Sequence, residues 1–182
     1  MIKNKTYIDR VLKHEGGYVD DPEDTGGETF RGIARNHNPT WGGWDIIDQL
    51  KETHADMFPG ILEQDSRLQS KVYQLYNRKY WIDNLGECLA FQVFDFAVNS
   101  GVTRAKKYLQ MTLGVKADGV IGPKTLEALD EVENIYVFIL EYNNNRMRYL
   151  MKLKQFSRYG AGWTARVMHN NQFAKEDCYG LE

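Results

Sequence analysis

His14-Glu15-Gly16-Gly17-Tyr18-Val19-Asp20-Asp21-Pro22-Glu23-Asp24-Thr25-Gly26-Gly27-Glu28-Thr29-Phe30-Arg31-Gly32-Ile33 follows directly on an apolar stripe made by Tyr7, Ile8, Val11 and Leu12. That stripe has helical spacing. Thr6 followed by Asp9 reads as a capping box at the start of the helix. Gly16-Gly17 reads as its stop, with one glycine in a left-handed conformation. Glu15 would then occupy the last helical turn, where the negative end of the helix dipole favours a protonated acid over a carboxylate. Beyond it comes a turn dense in glycines and carboxylates, then the hydroxyl of Thr29.

One acid at a helix end, with polar groups shortly after it, is the equipment for hydrolysing a sugar acetal. Such a reaction needs a donor for the leaving oxygen. It also needs a second group that holds a water or stabilises the oxocarbenium ion. The bland alternative is a solvated carboxylate on a helix end. Gly26, Gly27 and Gly32 allow positive φ and close approach of a polymer to the backbone, with Thr29-Phe30-Arg31 as one short strand of a small hairpin.

The order His-Glu-Gly-Gly-Tyr, Asp-Pro-x-Asp-x-Gly-Gly-Glu-Thr and Gly-Ile resembles the start of the glycoside hydrolase family 108 N-acetylmuramidases. These occur as phage endolysins and as bacterial relatives called putative secretion activator proteins. The similarity runs on through Tyr80-Trp81 and Phe91-Gln92-Val93-Phe94-Asp95-Phe96-Ala97-Val98-Asn99-Ser100-Gly101. It ends in Leu113-Gly114-Val115-Lys116-Ala117-Asp118-Gly119-Val120-Ile121-Gly122-Pro123-Lys124-Thr125-Leu126-Glu127-Ala128-Leu129, which is similar to the predicted peptidoglycan-binding module that accompanies the family. The resemblance implies a mainly α, lysozyme-like fold with a small β-hairpin region near residues 18–33. It also implies hydrolysis of the β-1,4 bond between N-acetylmuramic acid and N-acetylglucosamine.

The resemblance makes Glu15 the general acid. Phage lysozymes of the same broad superfamily carry an Asp nine positions after the catalytic Glu and a Thr about six beyond that. Glu15 plus nine is Asp24, and Thr29 follows after five, one short of that spacing. Asp24 and Thr29 are therefore the expected partners of Glu15, with Asp20, Asp21 and Glu28 as rivals. Asp21 and Asp24 also suit turns in which the side chain bonds nearby amides. Tyr18, Glu28, Trp44, Trp81 and Asn99 are the candidate substrate-binding residues, and Trp41 and Tyr80 are further aromatic candidates for sugar platforms. A single aromatic residue more often packs than binds.

Composition agrees with an enzyme of this size. The chain has 182 residues, enough to bury a sizeable core. Its net charge is −2, so it lacks the basic footprint of a nucleic-acid binder, and recognition of an anionic wall must rest on local contacts rather than global steering. His14, His37, His54 and His169 are scattered without metal-ligand spacing, so neither metal nor cofactor is assigned. Cys88 and Cys178 could form one bridge in an exported protein, but they lie far apart and read first as two free, partly buried thiols. No signal peptide and no membrane span is visible. The expectation is a monomer made in the cytoplasm that reaches glycan strands of the wall after release, through a phage holin for an endolysin.

Elsewhere the pattern is helical. Helices are predicted over Asp45–Thr53, Asp65–Trp81, Leu89–Asn99, Arg104–Leu113, Pro123–Leu129, Asn134–Lys154 and Gly162–Asn170. Leu89–Asn99 is apolar nearly all round and reads as a central buried helix. Asp95 and Asn99 share one of its faces, to be satisfied either at a cleft wall or by internal hydrogen bonds. Asp118-Gly119 predicts a tight turn and Pro123 the first turn of a helix, so this motif reads first as bracing. Two regions, 1–86 and 87–182, are expected. No Ser-, Gly- or Pro-rich hinge separates them, so they are expected to pack as one body.

Overall fold

The computed structural model describes residues 4–21 and 26–180. Asp24, one of the expected catalytic residues, lies outside the described residues. The chain divides into two compact units, Met1–Lys79 and Tyr80–Glu182.

The first unit opens with α1 (Lys5–Leu12), which buries Ile8, Val11 and Leu12 as the stripe predicts. The capping box does not form. Asn4 takes the N-cap position with φ 58° and without a side-chain cap, so Thr6 is already inside the helix. Asp9 is instead engaged by Lys5 Nζ at 2.6 Å and by the Tyr73 hydroxyl. The helix also stops earlier than the glycines suggest. His14 N–H bonds Val11 O and Glu15 N–H bonds Leu12 O, the tighter bonds by which a last turn satisfies its carbonyls. Neither Gly16 nor Gly17 has positive φ. Glu15 thus sits three residues beyond α1, outside the last turn to which the dipole argument applies.

Three two-residue strands follow: β1 (Tyr18–Val19), β2 (Thr29–Phe30) and β3 (Ile33–Ala34). They form one antiparallel sheet in the order β1-β2-β3, with Tyr18 opposite Phe30 and Phe30 opposite Ile33. Arg31, expected in a strand, is in the turn. Arg31 and Gly32 join β2 to β3 with φ of 46° and 72°, a two-residue turn whose twist matches the strands. The unit continues with α2 (Trp44–Thr53) and α3 (Ser66–Tyr80), both close to their predicted bounds. Their inward stripes (Ile47 and Leu50, then Leu68, Val72, Leu75 and Tyr76) are buried.

The second unit is helical: α4 (Glu87–Ser100), α5 (Val102–Thr112), α6 (Pro123–Asp130), α7 (Ile135–Leu150) and α8 (Phe156–Tyr179). Every residue from Leu89 to Ala97 is buried, and α4 packs against α5, α7 and α8. It is the central helix that its composition predicts. α8 is far longer than expected. The predicted start at Gly162 lies well inside it, and Gly160 is buried within the helix, where an added Cβ would stand 2.8 Å from the Phe156 ring. Contact with that ring, not a break in the chain, accounts for the glycine. α7 in turn ends at Leu150, short of Lys154.

The expectation of free thiols fails. Cys88 on α4 and Cys178 on α8 form a disulfide with Cα atoms 5.3 Å apart, within the normal range. Ninety residues separate them, so only the packing of α8 on α4 reveals the pair. The Asp118-Gly119 motif forms the predicted turn and is braced locally by α5. Gly119 turns the chain at φ 85°, and Pro123 opens α6. Buried Gln110 of α5 stitches the motif together: its Nε2 donates to Asp118 Oδ1 at 2.9 Å and Val120 O at 3.0 Å, and its Oε1 accepts from Gly119 N–H at 2.7 Å.

The whole is mainly α with one small antiparallel sheet, the lysozyme-like class expected from the sequence. Among the described residues no helix is long and apolar enough to cross a membrane.

Candidate active site

Glu15 is half-buried at the β2–β3 turn. A Cβ built on Gly32 would lie 2.6 Å from Glu15 Oε2 and 3.0 Å from the Tyr76 hydroxyl oxygen. Glycine at 32 is thus required twice, by its positive φ and by the carboxylate pressed against it. The turn itself is held from three sides. Arg31 N–H donates to Gly17 O at 3.1 Å, the Tyr76 hydroxyl of α3 donates to Arg31 O at 2.8 Å, and the Arg31 guanidinium pairs with Glu63. A depression of about 420 Å³ lined by Asp9, Leu12, Lys13 and Arg31 opens at the same turn.

This geometry carries a prediction. On the expectation that Glu15 is the general acid, Gly32→Ala should displace its carboxylate and lower the expected hydrolysis by roughly tenfold, since a misplacement of about 1 Å at a reacting group can cost up to ~10²-fold. Steady-state hydrolysis of purified sacculi, alongside a thermal melt showing an intact fold, measures it. A variant with parental kcat would show that the turn does not position Glu15.

Glu28 is held in a second cluster on the same sheet. Its Oε1 accepts from the Tyr18 hydroxyl at 2.7 Å and faces Lys51 Nζ at 2.5 Å, while Oε2 lies 2.7 Å from Arg35 Nε. Arg35 reaches on to Asp48 of α2 through two bonds of 3.1 and 2.6 Å, and stacks over Trp44 with 4.6 Å between guanidinium carbon and ring centroid. Burial pushes the Tyr18 phenol up to about 12; the bond to Glu28 adds to this and Lys51 opposes it. Tyr18 therefore stays a donor at neutral pH. Both oxygens of Glu28 have cationic partners, an arrangement that ties the sheet to α2.

The remaining expected residues divide between the two units. Thr29 lies in β2, where its hydroxyl donates to Gly27 O at 3.0 Å. Trp44 is 3% exposed, donates from Nε1 to Asn38 O at 2.8 Å, and meets Trp41 edge-on at 5.0 Å. The expectation that Trp44 or Trp41 offers a sugar platform is corrected here: both indoles are buried and have no free face. In the second unit Trp81 packs at a tilt on Phe94, with centroids 5.4 Å apart, and the Asn99 side chain accepts from the Ser100 hydroxyl at 2.9 Å.

Asp95 takes the internal one of its two expected roles. It is 1% exposed, and its Oδ2 accepts from Arg146 Nη1 and Asn170 Nδ2 at 2.7 Å each. Its Oδ1 faces Arg166, with Nε at 2.9 Å and Nη2 at 2.8 Å. Tyr76 was missed as a positioning residue. A tyrosine on a buried stripe needs a hydroxyl partner, and that need is the signal that points to it. Lys51 and Arg35 gave no local signal, because their pairing with Glu28 depends on how the sheet meets α2.

A family model described as Glycosyl hydrolase 108 matches residues 8–101, and one described as Predicted Peptidoglycan domain matches residues 104–168. Among solved structures, one titled "Structure of Brucella abortus SagA" is similar over 94% of this chain and 93% of that one, with 30% sequence identity and a TM-score of 0.68. No curated protein matches.

Proposed function

The chain belongs to the glycosyl hydrolase 108 family and acts on peptidoglycan, and from that premise we propose that it cleaves the β-1,4 bond between N-acetylmuramic acid and N-acetylglucosamine with Glu15 as general acid. The observation that carries this reading is the approach of Glu15 Oε2 to the Arg31–Gly32 turn, within the region that the hydrolase family matches. Glu15 gives its proton to the glycosidic oxygen as the bond to the muramic acid C1 breaks. The hydroxyl of a water then adds to C1, and the water's remaining proton returns to a carboxylate. Asp24, at the superfamily spacing, is the proposed second carboxylate, with Thr29 five residues further on. The cations around Glu28 favour a bracing role for that residue over a catalytic one.

Mass spectrometry of digested sacculi tests the reaction. Reducing muramic ends are expected. Anhydro-muramic ends would identify a lytic transglycosylase, and the absence of cleavage a silent wall-binding protein; either overturns the proposal. The second carboxylate has its own test. Asp24→Asn should cost more activity than Asp20→Asn, by at least about tenfold, as befits a group acting directly in general acid–base or electrostatic catalysis. Equal losses, or a larger one at Asp20, would exclude Asp24.

A further inference from the structure

The second unit holds a cavity of about 630 Å³ between the start of α5 and the Asp118-Gly119 loop. Its charged lining groups are Arg104 and Lys107; Thr103, Tyr108, Met111 and Ala117 supply much of the rest, and none of its lining residues is acidic. Among the described residues Lys107 has no ion-pair partner. Arg104 spends one N–H on Ser100 O at 2.6 Å and lies over the Tyr149 ring at 4.7 Å, which leaves most of its donors unused. Asp118, the carboxylate next along the loop, is already occupied by Gln110 and by Val120 N–H.

The brace motif shapes this cavity. An added Cβ on Gly119 would stand 3.3 Å from Thr103 Cγ2 and 3.6 Å from Lys107 Cγ and Cε. Glycine therefore lets the loop lie flat against the Lys107 stem, with the ammonium left at the cavity. The rings behind it are fixed as well, Tyr108 against Phe96 at 5.5 Å and against Tyr149 at 5.6 Å. The result is two cations set beside an apolar wall, in a protein whose net charge is −2.

We propose that this cavity binds the acidic stem peptide of peptidoglycan, its carboxylates on Arg104 and Lys107 and its alanine methyls against Tyr108 and Met111. The inference rests on the reading that the protein acts on peptidoglycan. Charge selects the occupant: N-acetylated glycan is neutral once its lactyl groups carry peptide, and the stem peptide supplies both free carboxylates and small apolar side chains. Guanidinium and ammonium groups on carboxylates form charge-assisted bonds, stronger than those neutral sugars can offer.

The test uses the full chain carrying Glu15→Gln, so that sacculi stay intact, and measures co-sedimentation with sacculi freed of phosphate polymers. One batch keeps its stem peptides and the other has been stripped by an amidase to bare glycan, whose lactyl carboxylates are then free, with chitin as the uncharged glycan control. The parent should bind the first batch about tenfold more tightly than the second, and more weakly as salt rises. Arg104→Gln with Lys107→Gln should lower binding to the first batch to the level of bare glycan. Lys107→Glu, a single exposed change that leaves the brace intact, should act in the same direction. Equal parental binding to both batches, undiminished binding by the variants, or binding that appears only when phosphate polymers are left in place would each overturn the proposal. Whether Glu15 cuts glycan is read separately from the chain ends released, so a failure of the hydrolase reading is distinguishable from a failure of this one.

Discussion

Glu15→Gln is expected to lower peptidoglycan hydrolysis by about 10²–10⁴-fold, the contribution typical of a positioned acid. The change keeps the size and shape of the side chain, so its contact with the Arg31–Gly32 turn should persist and the melting temperature should stay close to that of the parent. Sacculus binding should also persist, because the amide removes only the transferable proton. Turnover of sacculi by release of reducing ends, compared at equal folded concentration, is the measurement. Activity within a few-fold of the parent would remove Glu15 from the mechanism. The other carboxylates of the unit would then have to be tested in turn.

The second large effect concerns folding. Asp95→Ala should destabilise the protein by about 3–5 kcal/mol, the cost of leaving buried charge uncompensated. The substitution strands Arg146, whose side chain is 1% exposed, and Arg166, at 11%, along with the amide of Asn170. Urea denaturation of both proteins, compared at their midpoints, measures the loss. A difference below about 1 kcal/mol would mean that the arginines find other partners when the carboxylate is removed. Acid titration gives an independent check. Burial alone would raise the Asp95 carboxyl, but the charges of Arg146 and then Arg166 outweigh it and hold the carboxyl down at about 2. Because the folded value lies below the ordinary carboxylate value, the stabilisation is fully present above about pH 4. It is lost as pH falls through about 2. The parent should therefore gain stability over the alanine variant as pH rises from about 2 to 4, and their difference should be flat above that.

Much of this protein is written in short-range patterns. The stripe Ile8, Val11 and Leu12 predicts α1, and the helical spacing of Leu68, Val72, Leu75, Tyr76 and Tyr80 predicts α3 almost to the residue. Leu89–Ala97, apolar on nearly every side, predicts the buried α4. Pro123 marks the start of α6, and Asp118-Gly119 the turn before it. These succeed because each depends on the period of one element or the φ of one residue, both of which are local. The order of motifs from Glu15 to Thr125 likewise carries the family. Of the local readings that failed, the capping box lost to a distant hydroxyl, since Tyr73 takes Asp9 away from its expected cap, whereas Gly160 sits inside α8 against Phe156 one turn earlier in the same helix.

The sequence by itself determined the helical class, the place of the small sheet and the family, and it singled out Glu15 as the acid we propose. Only the tertiary structure decided what each polar side chain does. Glu28 and Asp95 are both acids within motifs, yet one is set between Lys51 and Arg35 and the other between Arg146 and Arg166. Trp44 is buried rather than exposed, and Cys88 finds Cys178 across ninety residues. The physical reason is range. Helix periods and turn angles are set by neighbours a few residues away, whereas the partner of a charge, a thiol or an indole is whatever the packing of separate elements brings within a few ångströms.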